Sequence, residues 1–278
     1  MRETIQPVRK TTGRTDVCKV CSAKNHLLGR NAILDSYEIQ YFHCEQCGFV
    51  QTEEPFWLDE AYKNPIATLD IGLLGRNLRL RDIASRVLNL IIGGTSRCVD
   101  YGGGYGVFVR LMRDNGFDFA HFDPMADNLF ASHFTASLDD KFTLVTAFEV
   151  LEHLADPHEH FAKLDRLAPN WLITTEMIAE PPPSPDQWWY YLPETGQHVS
   201  FYSKRSLQFL ARQYNRRLIT CGNGLHFFTR STMPDWRIRW VLKNRTSRWL
   251  DIFTRKASLL PYDFELMRNN LFIRQDAA

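Results

Sequence analysis

The 278-residue chain has no apolar run long enough to cross a bilayer, and Met1–Lys10 is polar, without the apolar core of a signal peptide. These two absences point to a cytoplasmic protein. Internal repeats and low-complexity tracts are missing as well. Net charge is nearly absent, at +1. Residues 1–60 carry 7 Lys/Arg against 9 Asp/Glu, residues 61–229 carry 16 against 18, and only residues 230–278 are basic, with 10 against 5. A protein that grips long RNA or DNA spreads positive charge along its groove, so the neutral body argues against a nucleic-acid substrate. With 44% hydrophobic and 23% charged residues, the chain can bury one full α/β domain plus small additions.

Cysteine is scarce, with six residues, yet four of them fall into two CxxC knuckles: Cys18 and Cys21, then 22 intervening residues, then Cys44 and Cys47. Each knuckle aims two thiolates at one centre, and four thiolates close a tetrahedral zinc shell. Two disulfides or four spare thiols are the other readings. Zinc here would be structural, because so short a segment cannot bury enough apolar surface unaided. Cys98 and Cys221 lie in expected strands as buried spectators.

The chain is organised around RCVDYGGGYGVFVRLMR, Arg97 to Arg113. A short apolar strand runs through Asp100 into Gly102, Gly103, Gly104 and Gly106, and then into a helix with Val107, Phe108, Leu111 and Met112 at helical spacing. Such a turn lets a bulky ligand approach bare backbone, although a purely structural turn uses glycines too. Phe119 to Phe122 reads as the next strand and ends on Asp123, 17 positions after Gly106, where an acid can bind a ribose. That spacing suits nicotinamide dinucleotides and S-adenosylmethionine alike.

The order DYGGGYG, FDP, TAFEVLEHLADP and WLITTE resembles the class I S-adenosylmethionine-dependent methyltransferases, in the broad group whose fourth strand ends in a VLEHL-type motif. The resemblance covers roughly Asp70 to Arg230 and is specific for cofactor class and poor for substrate. It implies a Rossmann-like α/β fold with a seven-stranded sheet, the last strand antiparallel. It also implies cofactor contacts from Asp100, Tyr101, Gly102, Gly103, Gly104, Gly106, Asp123, Pro124, Phe148 and Glu149. Arg76 and Asn77 lie in the helical segment before the first strand, which closes over the methionine end in related enzymes, so they are expected at its carboxylate; a solvated helix face with a break at Gly72 or Gly75 is the competing reading. Thr143 stands where the family usually has an acid. Only 18 residues separate Asp123 from Phe142, too few for a full helix and strand, so the third strand or its helix is expected to be trimmed. The cysteine block resembles the zinc-binding N-terminal segment of some sugar methyltransferases, where it helps to enclose the substrate.

Glu149 and His153 leave the carboxyl end of the fourth strand, the ligand side of an open α/β sheet, and read either as site residues or as a helix cap and a satisfied histidine. Asp156, Pro157 and Glu159 mark a helix start. Glu180 to His198 is a proline-rich loop whose Trp188, Trp189, Tyr190 and Tyr191 either stack on a sugar or planar substrate or seal the loop onto the body. In HVSFYS, His198 resembles the family histidine that faces the methyl acceptor, and it is the expected general base, with Ser203 capping the next helix. Arg217 to Cys221 and His226 to Arg230 form a hairpin around Asn223 and Gly224. From Met233 to Lys256, Trp236, Trp240, Trp249 and Phe253 recur among Arg237, Arg239, Lys243, Arg245, Arg248, Arg255 and Lys256. Such a helix suits peripheral contact with an anionic membrane or a lipid-linked acceptor, or it buries its Trp side on its own domain or in a homodimer.

The expected organisation is therefore a zinc module over 1–60, a methyltransferase domain over 61–230 and a basic helical extension over 231–278. The expected activity is methyl transfer to a small-molecule or glycan acceptor. An RNA methyltransferase with the zinc module as clamp, and a non-catalytic cofactor-binding scaffold, are the rival readings.

Overall fold

The computed structural model describes residues 16–63, 70–93, 96–222, 224–243 and 256–275. Its larger sheet has the strand order β5-β4-β6-β7-β10-β9, built from β4 (Arg97–Tyr101), β5 (Asp118–Phe122), β6 (Leu144–Phe148), β7 (Asn170–Thr174), β9 (Arg217–Cys221) and β10 (Leu225–Thr229). A second sheet has the order β1-β2-β3-β8, from β1 (His26–Ile33), β2 (Tyr37–His43), β3 (Val50–Thr52) and β8 (Ser200–Phe201). The helices are α1 (Leu58–Ala61), α2 (Leu73–Val87), α3 (Val107–Asp114), α4 (Pro157–Leu167), α5 (Lys204–Gln213), α6 (Asp235–Leu242) and α7 (Leu260–Gln275). The chain falls into two compact units, the described residues of 1–67, 147–166 and 173–230, and those of 68–146, 167–172 and 231–278.

In the second of these units, β4 pairs in parallel with β5 and with β6, in register at Asp100↔His121 and Asp100↔Thr146. Cys98, Val99, Asp100 and Tyr101 are all buried, as expected of a strand covered on both faces. Gly106 starts α3 from the left-handed region (φ +82°), which directs Phe108, Val109 and Met112 inward, with Phe108 edge-on to Phe119 at 5.6 Å. The α/β class is as expected, but the described sheet has six strands where seven were expected. The third strand is reduced to a single parallel bridge, His121 to Thr135, because the short link from Asp123 to Phe142 is spent on turns such as Asn128 Oδ1 accepting from the Ala131 N–H (2.9 Å). The segment before β4 is mainly one helix starting at Gly72, with a π turn at Leu88–Ile92. Helix α7 is tied to α3 by a buried ion pair, Arg113 to Asp263 at 2.7 Å and 2.9 Å. Helix α6 buries Ile238, Val241 and Leu242 and leaves Trp236 and Trp240 exposed. Arg245, Arg248, Trp249, Phe253 and Arg255 of the expected basic helix lie outside the described residues.

In the other unit, β9 and β10 form the expected antiparallel hairpin, with Leu225 opposite Cys221; Asn223 lies outside the described residues. Ser203 caps α5 in a reciprocal box with Ser206, and Asp156 Oδ1 accepts from the Glu159 N–H at 3.1 Å. The small sheet is antiparallel throughout and encloses a core of Ile39, Tyr41, Val50, Trp57, Tyr191 and Phe201. Its fourth strand is the one that follows His198. Among the described residues no helix is long and apolar enough to cross a membrane.

Candidate functional site

The glycine turn folds around two acids. Asp100 is buried at the end of β4 and accepts from Thr146 Oγ1 at 2.6 Å. Burial pushes its carboxyl up to about 7; the Thr146 bond opposes that rise and the charge of Asp123 adds to it. Asp123 Oδ2 accepts from the Gly104 N–H at 2.8 Å, while Oδ1 accepts from the N–H groups of Met125 (2.8 Å) and Ala126 (3.1 Å). A Cβ at Gly103 would lie 2.8 Å from Asp100 Oδ2 and 2.8 Å from the His121 ring, so this position is closed to any side chain. His121 Nε2 donates to the Gly104 carbonyl at 2.8 Å and fixes the turn from below. Tyr101 is buried and stacked on Phe122 at 5.2 Å, and Pro124 is exposed. Arg76 turns its fork onto Asp70 at 2.6 Å and 2.9 Å, with Asn77 half-buried beside it in α2.

In the other unit a polar cluster surrounds His198. The imidazole Nδ1 is 2.7 Å from the Tyr190 carbonyl, which can only accept, so Nδ1 carries the proton and Nε2 does not. The His153 ring stands perpendicular to His198 at 4.8 Å, with its Nδ1 3.0 Å from the Tyr62 hydroxyl. Burial lowers both histidines, His153 to about 3, with His198 as second cause, and His198 to about 4, against the opposing pull of the Tyr190 carbonyl and Glu149. Both rings are therefore neutral at pH 7. Tyr190 donates its hydroxyl to Glu152 at 2.6 Å, and Glu152 is fully buried. Glu149 follows the half-buried Phe148 at the end of β6 and sits in the left-handed region (φ +53°), its N–H held by Thr174. A glutamate there is unfavourable by about 1 kcal/mol, which marks Glu149 as fixed by its surroundings.

The aromatic loop divides. Tyr190 and Tyr191 are buried, with Tyr191 donating to the Pro183 carbonyl at 2.9 Å, and Trp188 is half-buried against both at 5.2 Å and 5.3 Å. Only Trp189 is open to solvent, 67% exposed. Tyr62, Glu152 and Gln197, whose side chain donates to the Ala61 carbonyl at 2.9 Å, were not singled out in the sequence.

The two knuckles converge. Cys18 and Cys47 Sγ atoms are 3.6 Å apart, those of Cys21 and Cys44 3.5 Å, and all four lie within 4.8 Å of one another. A tetrahedral zinc with bonds of about 2.3 Å requires sulfur atoms about 3.8 Å apart, so the donor set fits. The Val20 N–H points at Cys18 Sγ at 3.4 Å, a bond that favours thiolate. The donor atoms of Glu152, His153 and His198 also lie within 4.8 Å of one another, but here Tyr190 and Tyr62 already engage Glu152 and His153.

Residues 75–220 match the profile of a family described as a methyltransferase domain. Among solved structures, the chain is similar to a methyltransferase of calicheamicin biosynthesis bound to S-adenosylhomocysteine (13% identity, 57% of this chain and 55% of that one, TM-score 0.40). It is also similar to an O-methyltransferase family 2 protein from Planctomyces limnophilus in complex with apigenin (14%, 61% and 60%, 0.43) and to human N-acetylserotonin methyltransferase (16%, 55% and 52%, 0.41). The chain thus spans little more than half the length of each. No curated protein matches it.

Proposed function

The chain belongs to the methyltransferase-domain family, and from that premise we propose that it transfers a methyl group from S-adenosylmethionine to a small-molecule acceptor, a sugar or glycan hydroxyl or sugar carbon in polysaccharide or natural-product biosynthesis. The reading rests first on His198, whose Nδ1 proton is committed to the Tyr190 carbonyl, so that Nε2 can accept a proton. The bound cofactor would supply a methyl carbon made electrophilic by a sulfonium. Asp123 would hold the ribose hydroxyls, and the Gly102–Gly106 backbone, with Asp100, Tyr101 and Pro124, would allow close approach. Phe148 and Glu149 would complete the contacts, and Arg76 would share its fork between Asp70 and the methionine carboxylate, with Asn77 beside it.

His198 takes the acceptor proton at Nε2 while the Nδ1–H bond to Tyr190 strengthens as the ring gains charge. Burial opposes that charge, so His198 is a weak base, suited to accepting a proton as the methyl bond forms rather than before it. Trp189 is the aromatic face left open for an acceptor ring. Cys18, Cys21, Cys44 and Cys47 would hold one structural zinc ion.

His198→Ala tests the base: turnover should fall at least about a hundredfold while cofactor affinity stays within about twofold. Full turnover by a folded variant would reassign the role. Mass spectrometry of cell extracts with and without the chain, read for the gain of one methylene, identifies the acceptor.

A further inference from the structure

The strand that follows His198 does not belong to the larger sheet; it closes the small sheet that grows out of the cysteine knuckles. The second knuckle turns at Gly48, whose N–H donates to the Cys44 carbonyl at 2.7 Å, and the Cys44 N–H donates to the Phe49 carbonyl at 2.9 Å. This turn delivers β3, which pairs with β8 at Val50↔Phe201 and Gln51↔Ser200. The Thr52 N–H extends the ladder to the Val199 carbonyl at 3.1 Å, one residue from His198. The far end of β8 returns to the metal-binding turn, because Ser203 Oγ donates to the Cys47 carbonyl at 2.8 Å. The first knuckle is tied in through Gln51, a buried side chain that accepts from the Lys19 N–H at 2.8 Å and donates to the Val17 carbonyl at 3.3 Å. A Cβ on Gly48 would lie 2.6 Å from Ser203 Oγ, so the turn and Ser203 are in close contact.

We propose that metal binding at the four cysteines and the placement of His198 are one event, with Gln51 and Ser203 as positioning residues that carry the geometry of the thiolate centre into β8. A strand pair of two or three residues is not stable alone and takes its order from what anchors it. Here the anchor on the β3 side is the knuckle, and so short a segment, with four sulfur atoms converging on one centre, takes its order from the ion they hold. The module therefore acts on the reaction by fixing the histidine, and the inference rests on the reading of His198 as the acceptor-side base.

Hydrogen exchange on the full chain tests it, with zinc content measured in parallel. Stripping the ion with a chelator should speed exchange of the amides of Thr52 and Phe201, which lie on the β3–β8 ladder, at least about tenfold, and adding Zn²⁺ should restore them; the Val199 amide, which donates to the Glu152 carbonyl at 2.8 Å, is not a reporter of this ladder. The amides of β4 and β5 and the affinity for S-adenosylhomocysteine should be unmoved. Unchanged protection of Thr52 and Phe201 without zinc would overturn the proposal, and so would equal loss of protection along the whole chain. In zinc-loaded protein, Ser203→Ala should lower kcat about tenfold at an unchanged cofactor KM and one zinc per chain, and Ser203→Thr should recover most of it; equal behaviour of the two variants would overturn the proposal as well. If His198→Ala left turnover intact while zinc still controlled exchange of Thr52 and Phe201, the base reading would fail and the coupling would stand.

Discussion

Replacing Asp100 with asparagine separates the cost of the glycine cradle from its use. The carboxyl is buried against Thr146 and keeps its proton to about pH 7, against about 4 in an open chain. Between those values the folded state binds more protons than the unfolded one, so stability falls as pH rises and levels off above pH 7. The total loss is about 4 kcal/mol at the upper end. Asparagine keeps the shape and a partner for Thr146 Oγ1 but never ionises, so its stability curve should lack this descent. Urea unfolding at pH 5 and at pH 8 reads the difference: the variant should be more stable by about 2 kcal/mol at pH 5 and by about 4 kcal/mol at pH 8. Binding of S-adenosylhomocysteine should weaken about tenfold in the same variant, since stability and function are traded at such sites. Parallel pH curves for the two proteins, or a variant that is less stable at pH 8, would refute the reasoning.

Gly103→Ala should destabilise the fold by about 1–3 kcal/mol and remove cofactor binding, because its new methyl group meets Asp100 and the His121 ring at 2.8 Å; thermal unfolding and calorimetry measure both. The pH profile of kcat should stay flat down to about pH 5 and fall below it, since the base must be unprotonated and burial has lowered His198 to about 4; a fall centred near pH 6.5 would mean a histidine in ordinary solvent. Glu149→Gly should cost little or nothing in stability, because glycine accepts φ +53° without penalty, yet should lose most turnover; a clear drop in melting temperature would show that the side chain holds the fold.

Much of this fold could be read locally. Strand, glycines and helix follow one another from Arg97 to Arg113, and the Asp123 to Phe142 link was visibly too short for a full helix and strand; in the fold only the His121–Thr135 bridge stands in the third strand's place. Long-range pairing was not legible. Nothing in the pattern around Val50 or Phe201 says that these residues are partners, yet that pairing links the knuckles to the strand after His198. The aromatic loop shows the same limit, because Tyr190 and Trp189 are adjacent and chemically alike. In the fold Tyr190 turns inward, donating to the buried Glu152, while Trp189 stays in solvent.

Calorimetry with the purified full chain, titrated with S-adenosylhomocysteine and separately with a nicotinamide dinucleotide, tests the central claim most directly. The account predicts saturable heat with the first at one site per chain, lost in Gly103→Ala, and none with the second. Binding of the nicotinamide compound without binding of the adenosyl one would contradict it.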